Sequence, residues 1–269
     1  GTVILKPKKD YIPRYYFYVV EYIVDKFLDK TKYERHNKYL QELYIPKPLT
    51  DIQQQIVVEM EAVDNRIAVL GLQIEQKENE LETLLSSIHD NDDSLNTIAP
   101  FATKSIKYGD IESETYITTD NMLQNKLGVL PFEGVANISS ITEYKPEDIL
   151  ISNIRPYLKK IWFADKDGGC SKDVLVLRSA DANKYLPKYI FYMLRRDAFF
   201  DYVMEGKKGI KMPRGNKEDI MKYKIPMPNI DEQKRIVAQI EALELEITKA
   251  RTLIESAASE KQAILDKYL

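Results

Sequence analysis

The chain has 269 residues, 44% apolar and 10% aromatic, with 39 basic against 42 acidic side chains and a net charge of −3. It is long enough to bury a sizeable core, and its overall charge names no partner. One cysteine, Cys170, excludes an internal disulfide and fits a reducing compartment, and two histidines, His36 and His89, leave no metal cluster to expect. No apolar run approaches the ~20 residues of a membrane helix and no signal peptide is visible, so a cytoplasmic location is expected.

In chain order, Thr2 to Lys6 alternates like a short strand, and Ile12 to Leu28 reads as an aromatic helix opened by Pro13, with Tyr15, Tyr18, Tyr22 and Phe27 in a core. Residues 30–44 are polar and lead into Ile45-Pro46-Lys47-Pro48, which cannot be helical. Thr50 or Asp51 then caps a long helix running to Ile88. Its apolar residues fall at Ile56, Met60, Val63, Ile67, Leu70 and Ile74, then Leu81, Leu84 and Ile88, interrupted only by Lys77. That 4-3-4-3 spacing is the seam of a helix packed along another helix.

After a polar loop at 89–94, strands are expected at 105–108, 116–118, 128–130, 148–151, 160–163 and 174–178. Pro187 to Phe200 forms a second aromatic helix. Glu205 to Tyr223 is basic and broken by Gly206, Gly209, Pro213 and Gly215, so it reads as a loop leading into a short helix near 216–222. From Asp231 a last helix carries a matching seam at Ile236, Ile240, Leu243, Ile247, Ala250, Ile254, Ala257, Lys261, Ile264 and Tyr268.

The chain therefore repeats itself. Ile45-Pro46-Lys47-Pro48 and Gln53 correspond to Ile225-Pro226-Met227-Pro228 and Gln233 at an offset of 180, and Tyr11 to Tyr18 corresponds to Tyr185 to Tyr192 at 174. Residues 90–172 have no counterpart ahead of Gly1, so the sequence reads as the tail of one unit followed by a whole second unit. A seam of that length spans roughly 50 Å at 1.5 Å per residue and must be buried. An antiparallel pair of the two helices within the chain is the economical solution, with Ala250 and Ala257 facing larger residues; pairing with another chain is the alternative. The fold class expected is α+β, a mixed α/β body plus two long helices forming an antiparallel coiled coil.

Charge is unevenly distributed. From Asp51 to Asp93 eleven acids face two bases, whereas from Phe101 to Pro228 twenty-one bases face seventeen acids. No glycine-rich phosphate loop or metal spacing occurs. Asn153-Ile154-Arg155-Pro156-Tyr157 is superficially similar to the Asn-Pro-Pro-Tyr motif of amino-methyltransferases, but it lacks the first proline and a doubly wound setting. No catalytic residue and no metal ligand are assigned.

The body does carry residues suited to DNA. Arg155, Lys159 and Lys160, beside Ser152, cluster at a strand turn where they could reach phosphates or guanine edges. Lys207, Lys208, Lys211, Arg214 and Asn216 form a second cluster on a glycine-containing loop, and asparagine can read adenine. Thr118, Thr119 and Asn121 offer neutral donors on a third loop, and Lys107 adds a further cation. For any single lysine a solvated surface is the commoner role; the joint pattern points to DNA.

Four stretches match a known family: Gly109-Asp110-Ile111, Asp148 to Leu158, Lys211 to Asn216, and Ile225-Pro226-Met227-Pro228 followed by Asp231-Glu232-Gln233-Lys234-Arg235-Ile236-Val237. With the 180-residue repeat, the chain resembles the specificity subunit of type I restriction-modification systems. The resemblance implies the remnant of a first target-recognition domain at 1–48, a central spacer helix at 49–89, a complete second target-recognition domain at 95–228 and a C-terminal spacer helix at 229–269. It further implies that the body reads half of a bipartite duplex and that the helices act as a ruler and dock methyltransferase subunits. S-adenosylmethionine would then sit on the partner and no cofactor on this chain. A restriction subunit and a second copy of the chain are further partners on this view. A coiled-coil adaptor that binds no DNA, or the recognition region of a fused restriction-methylation enzyme, are the alternatives.

Overall fold

The computed structural model describes residues 11–27, 44–134, 136–207, 209 and 211–269, and of Asp25 and Phe27 the backbone alone. The strand expected at 2–6, residues 30–43, the Phe27 side chain and Lys208 lie outside the described residues. In chain order the first elements are α1 (Pro13–Phe27), α2 (Thr50–Ser86), β1 (Asp92–Ser94), α3 (Leu95–Ile98), β2 (Ser105–Lys107), β3 (Tyr116–Ile117), β4 (Ser140–Tyr144) and β5 (Ile149–Ser152). There follow β6 (Ile161–Phe163), β7 (Gly168–Cys170), β8 (Val174–Leu177), α4 (Pro187–Leu194), α5 (Asp197–Glu205), α6 (Lys217–Ile220), β9 (Lys224–Pro226) and α7 (Ile230–Tyr268). The class is α+β. The chain divides into two compact units, Gly1–Leu81 with Ala242–Leu269, and Glu82–Glu241.

In the first unit α2 and α7 run antiparallel. Ion pairs join Glu59 to Lys267 at 3.3 Å, Asp64 to Lys261, Arg66 to Glu260, Lys77 to Glu246 at 3.2 Å and Glu78 to Arg251 at 2.7 Å. Partners on α7 fall from Lys267 to Glu246 as those on α2 rise from Glu59 to Lys77. The apolar residues spaced by three and four form the stripe between them. Ile56, Met60, Val63, Ile247, Ala250 and Ala257 are buried, while Ile67, Leu70, Ile74, Leu243 and Ile254 are half-buried. In the second unit Ile236 and Ile240, at the start of the same stripe, are buried.

The helix α1 covers one end of this pair. Tyr15, Tyr18, Val19 and Ile23 share a core with Ile56, Val57, Met60 and Leu265, and Tyr22 packs at its margin. Burying each such aromatic contributes about 1.5–3 kcal/mol. Their hydroxyls are satisfied: Tyr15 donates to Pro46 O at 2.9 Å and Tyr18 donates to Asp64. The second unit repeats the arrangement, with Tyr189 buried and donating to Pro226 O at 2.7 Å.

The second unit contains three small sheets: β1 with β9, a four-stranded sheet in the order β2-β4-β7-β3, and a three-stranded sheet in the order β6-β5-β8. All pairs are antiparallel except β3 with β7. Every residue of β5 and β8 is buried, which explains their continuous apolar runs. Tyr144, Leu150, Cys170, Val174 and Val176 join the two larger sheets in one core.

The structure departs from the sequence reading in places. Residues 128–130 contribute only an isolated bridge, Met122 to Val129. The second aromatic helix breaks in two at Arg196, whose φ −64° and ψ 146° are extended. β7 is Gly168-Gly169-Cys170, where glycine makes room for Tyr144 and Ile141 from the neighbouring strand.

Candidate nucleic-acid interface

β5 ends at Ser152 and the chain turns back to β6 through 153–160. The turn is a 3₁₀ segment, Pro156–Leu158, flanked by Arg155 (φ 50°, ψ 63°) and Lys159 (φ 50°, ψ 48°), both left-handed. It is closed by Leu158 N–H donating to Arg155 O and Lys159 N–H donating to Pro156 O, each at 2.9 Å. A second loop packs against it: Asn125 N–H donates to Leu158 O and Lys126 N–H to Lys159 O, again at 2.9 Å. Asn125 and Lys126 are left-handed as well, with φ 55° and 66°. Among the described residues, four of the five non-glycine residues with positive φ therefore meet here, the fifth being Glu147. Such strain gathers where a surface must hold a set shape for a ligand.

The third segment of this cluster is 211–216. Ile154 and Arg214 form an isolated antiparallel bridge, Arg155 N–H donates to Pro213 O at 2.8 Å, and Gly215 N–H donates to Asn153 O at 3.2 Å. Gly215 is required by space: a Cβ there would come within 2.9 Å of Asn153 Oδ1 and 2.8 Å of Val203 Cγ1. Three segments far apart in sequence are thus locked into one surface by backbone bonds.

The thirteen candidate residues have different fates. Arg155, Lys207, Lys211 and Arg214 are exposed, and Arg214 pairs with Asp173 at 3.3 Å. Lys107 is exposed on β2, an edge strand of the four-stranded sheet, and among the described residues has no backbone pairing with these three segments. Lys159 is half-buried and pairs with Asp197 at 2.9 Å. Lys160 donates to Thr119 O at 2.5 Å; burial, with Arg155 adding to it, pulls its ammonium below the usual lysine range. Thr118 and Thr119 are half-buried. Lys208 is outside the described residues.

Three of the neutral candidates are engaged in bonds within the scaffold. Ser152 is 3% exposed and its hydroxyl donates to Ile154 O at 3.0 Å. Asn121 donates to Tyr116 O and Leu130 O and accepts from Thr118 N–H at 2.7 Å, so both its amide protons are engaged. Asn216 caps α6, accepting from Glu218 N–H and donating to Asp219.

The structure adds residues that the sequence did not single out. Tyr157 and Met212 stand 48% and 49% exposed in the two segments that carry Arg155 and Arg214. An aromatic ring and a thioether beside guanidinium groups suit contact with base faces and thymine methyls. Lys126 pairs with Asp197 at 2.5 Å, alongside Lys159. Those two ammonium groups, Lys126 foremost, hold the Asp197 carboxyl below its usual range. Asn125 is of a residue type that tolerates the left-handed backbone of a turn, but nothing in sequence links Lys126 to Asp197.

Among the described residues no group of three His, Cys, Asp or Glu converges as a metal site, and no helix is long and apolar enough to cross a membrane. Cys170 is buried, and burial pushes its thiol up to about 12, away from nucleophilic use. What the surface offers is exposed cations on a rigid, closely bonded loop cluster, suited to phosphate and base-edge contact.

Comparison with known proteins agrees with this geometry. The type I restriction enzyme EcoDI specificity subunit of Escherichia coli is 31% identical over 101 residues, 38% of this chain and 22% of that protein; the match spans less than a quarter of that relative. The fold is shared with two solved chains. The HsdS subunit from Thermoanaerobacter tengcongensis has 17% identity and a TM-score of 0.54, over 95% of this chain and 69% of that one. The type I restriction-modification S subunit from M. genitalium has 14% identity and a TM-score of 0.57, over 97% and 73%. The family model for the type I restriction modification DNA specificity domain matches residues 96–256, which include all three loops of the basic face. The chain belongs to that family.

Proposed function

We propose that this chain recognises one half of a bipartite duplex target within a type I restriction-modification complex. The observation that carries the reading is the bond between the two basic segments: Arg155 N–H to Pro213 O, with Ile154 bridged to Arg214, joins two exposed arginines from distant segments through the backbone. Two exposed arginines on neighbouring segments can engage phosphates or guanine edges. Lys207 and Lys211 add two further exposed cations. On this reading α2 and α7 form the spacer and the docking surface for methyltransferase subunits. A second copy of the chain or another recognition domain would supply the other half-site. The chain itself supplies specificity, and S-adenosylmethionine and the methyl transfer belong to the partner. Acting on the cell's own DNA places the complex in the cytoplasm.

The test is to express the chain with and without a type I methyltransferase subunit and map methylated adenines across the host genome. A bipartite motif that depends on the chain supports the reading, and a palindromic one adds that one body serves both half-sites. A stable complex that yields no chain-dependent motif refutes it.

A further inference from the structure

Lys126 and Lys159 converge on one anion. They project from adjacent left-handed backbone positions joined by Lys126 N–H to Lys159 O, and their ammonium groups reach the two oxygens of the same carboxylate, Oδ1 and Oδ2 of Asp197, at 2.5 Å and 2.9 Å. Asp197 is the outermost of the three: its side chain is 58% exposed, those of Lys126 and Lys159 24% and 28%. The same logic recurs at Arg214, whose guanidinium meets Asp173 at 3.3 Å, both half in solvent. Asp173 is fixed there, because its carbonyl accepts from Asn153 N–H at 2.8 Å, next to the arginine turn. Arg155 has no carboxylate partner among the described residues.

Two ammonium groups spaced to share two oxygens of a carboxylate are equally spaced for two non-bridging oxygens of a phosphodiester. Ion pairs this exposed are weak, so a polyanion at high local density competes with them. We propose that Lys126 and Lys159 form a DNA-phosphate subsite held in the free protein by Asp197, with Asp173 holding Arg214 likewise. These internal anions suppress attachment to arbitrary DNA and so sharpen specificity. The proposal rests on the DNA-binding reading above. A purely structural role for Asp197, as an acid in the first turn of α5, makes the opposite prediction, since its loss would only loosen the fold.

The experiment is binding of the full chain to a labelled mixed-sequence duplex of about 30 base pairs, followed by fluorescence anisotropy from about 50 to 200 mM salt, a range over which phosphate contacts are strongly screened. Asp173→Asn is expected to tighten this sequence-independent binding by about 3-fold at low salt and to steepen the slope of log K against log salt by about 0.9, the value for one more phosphate contact. Asp197→Asn is expected to tighten it more and to steepen the slope by up to about 1.8, for two. Adding Lys126→Gln to Asp197→Asn should return roughly half of that increment. Unchanged or weakened affinity with an unchanged slope, in variants whose circular dichroism and unfolding are native, overturns the proposal. If Asp197→Asn proves unfolded, the Asp173→Asn slope decides alone. A wild-type chain without salt-dependent affinity overturns the DNA-binding reading and this proposal with it; wild-type binding with indifferent variants overturns only the proposal.

Discussion

Gln53 and Gln233 hold the same place in the two halves of the repeat. Each side-chain carbonyl accepts from the backbone N–H that opens an aromatic helix, Ile12 at 2.9 Å and Leu186 at 2.8 Å. Each amide donates to the proline carbonyl just upstream, Pro48 O at 2.9 Å and Pro228 O at 2.7 Å. Both side chains are buried, at 1% and 0% exposure. The prolines of the Ile-Pro-x-Pro stretch have no N–H to donate, and a buried glutamine ties the stretch to both helices. Replacing either glutamine with Ala leaves buried backbone groups without partners. A loss of about 2–4 kcal/mol is expected for each in urea unfolding, and a loss below ~1 kcal/mol in both would show that the glutamines do not fasten the joint.

Much of this joint was legible, because a glutamine recurring at an offset of 180 beside two prolines is visible without coordinates. The long helices were legible for a related reason: a 3.5-residue period sustained over many turns admits little else. The strands were less so. β7 is glycine-rich, and glycine ordinarily argues against a strand, so only the bulk of Tyr144 and Ile141 opposite explains it. At the site, charge marked the right segments but not their roles. Asn216 is followed by Lys217, Glu218 and Asp219, a capping signature as readable as its promise as an adenine reader, and capping won. The Lys126–Asp197 contact joins residues 71 apart and exists only once the chain is folded.

The seam of the helix pair is uneven, and the unevenness is testable. Ile247 is 6% exposed, whereas Ile67 is half-buried. Ile247→Asp is expected to cost at least ~3 kcal/mol because the charge has no partner there, and Ile67→Asp clearly less. Equal small losses in thermal unfolding would mean that the stripe is not a packed interface.

Lys77 interrupts the same seam. It lines a groove with Leu70, Ile74, Ile247 and Ala250 and pairs with Glu80 at 3.0 Å and Glu246 at 3.2 Å. Half-buried ion pairs contribute little beyond their desolvation cost, so Lys77→Leu should leave stability unchanged or raise it by about 1 kcal/mol. A loss of more than ~1 kcal/mol would show that the bridges matter more than packing.

Arg155 and Arg214 should differ in DNA binding although their segments are joined through the backbone. Arg155 faces solvent without a carboxylate partner among the described residues, whereas Arg214 gives up its contact with Asp173 to bind. With the methylated target once mapped, Arg155→Ala is expected to weaken binding by about 1–3 kcal/mol and Arg214→Ala by the lower end of that range. Unchanged affinity in both variants would move the DNA-binding face elsewhere on the body.

Asp64 makes the first unit sensitive to pH at both extremes. It accepts from the Tyr18 hydroxyl, pairs with Arg14 at 3.3 Å and with Lys261 of α7, and so ties α1 to both long helices. Burial alone would raise its pKa, but Lys261, Tyr18 and Arg14 outweigh that and hold it below the usual carboxylate range. A depressed folded value means that its contribution is fully present above the unfolded pKa, near 3.9, and is lost as pH falls through the lower folded value. Asp64→Asn should therefore cost about 1–2 kcal/mol at pH ~7, with the gap to wild type closing below pH ~4. Tyr18 gives the opposite sign: burial, with Asp64 adding to it, pushes its hydroxyl up to about 12. A raised folded value stabilises below the unfolded pKa, near 10, and the contribution is lost as pH rises from there toward 12. Tyr18→Phe should remove that alkaline loss and reduce, without abolishing, the acid limb, since Lys261 and Arg14 still face Asp64. Parallel stability–pH curves for wild type and both variants would show that this network carries no linked protons.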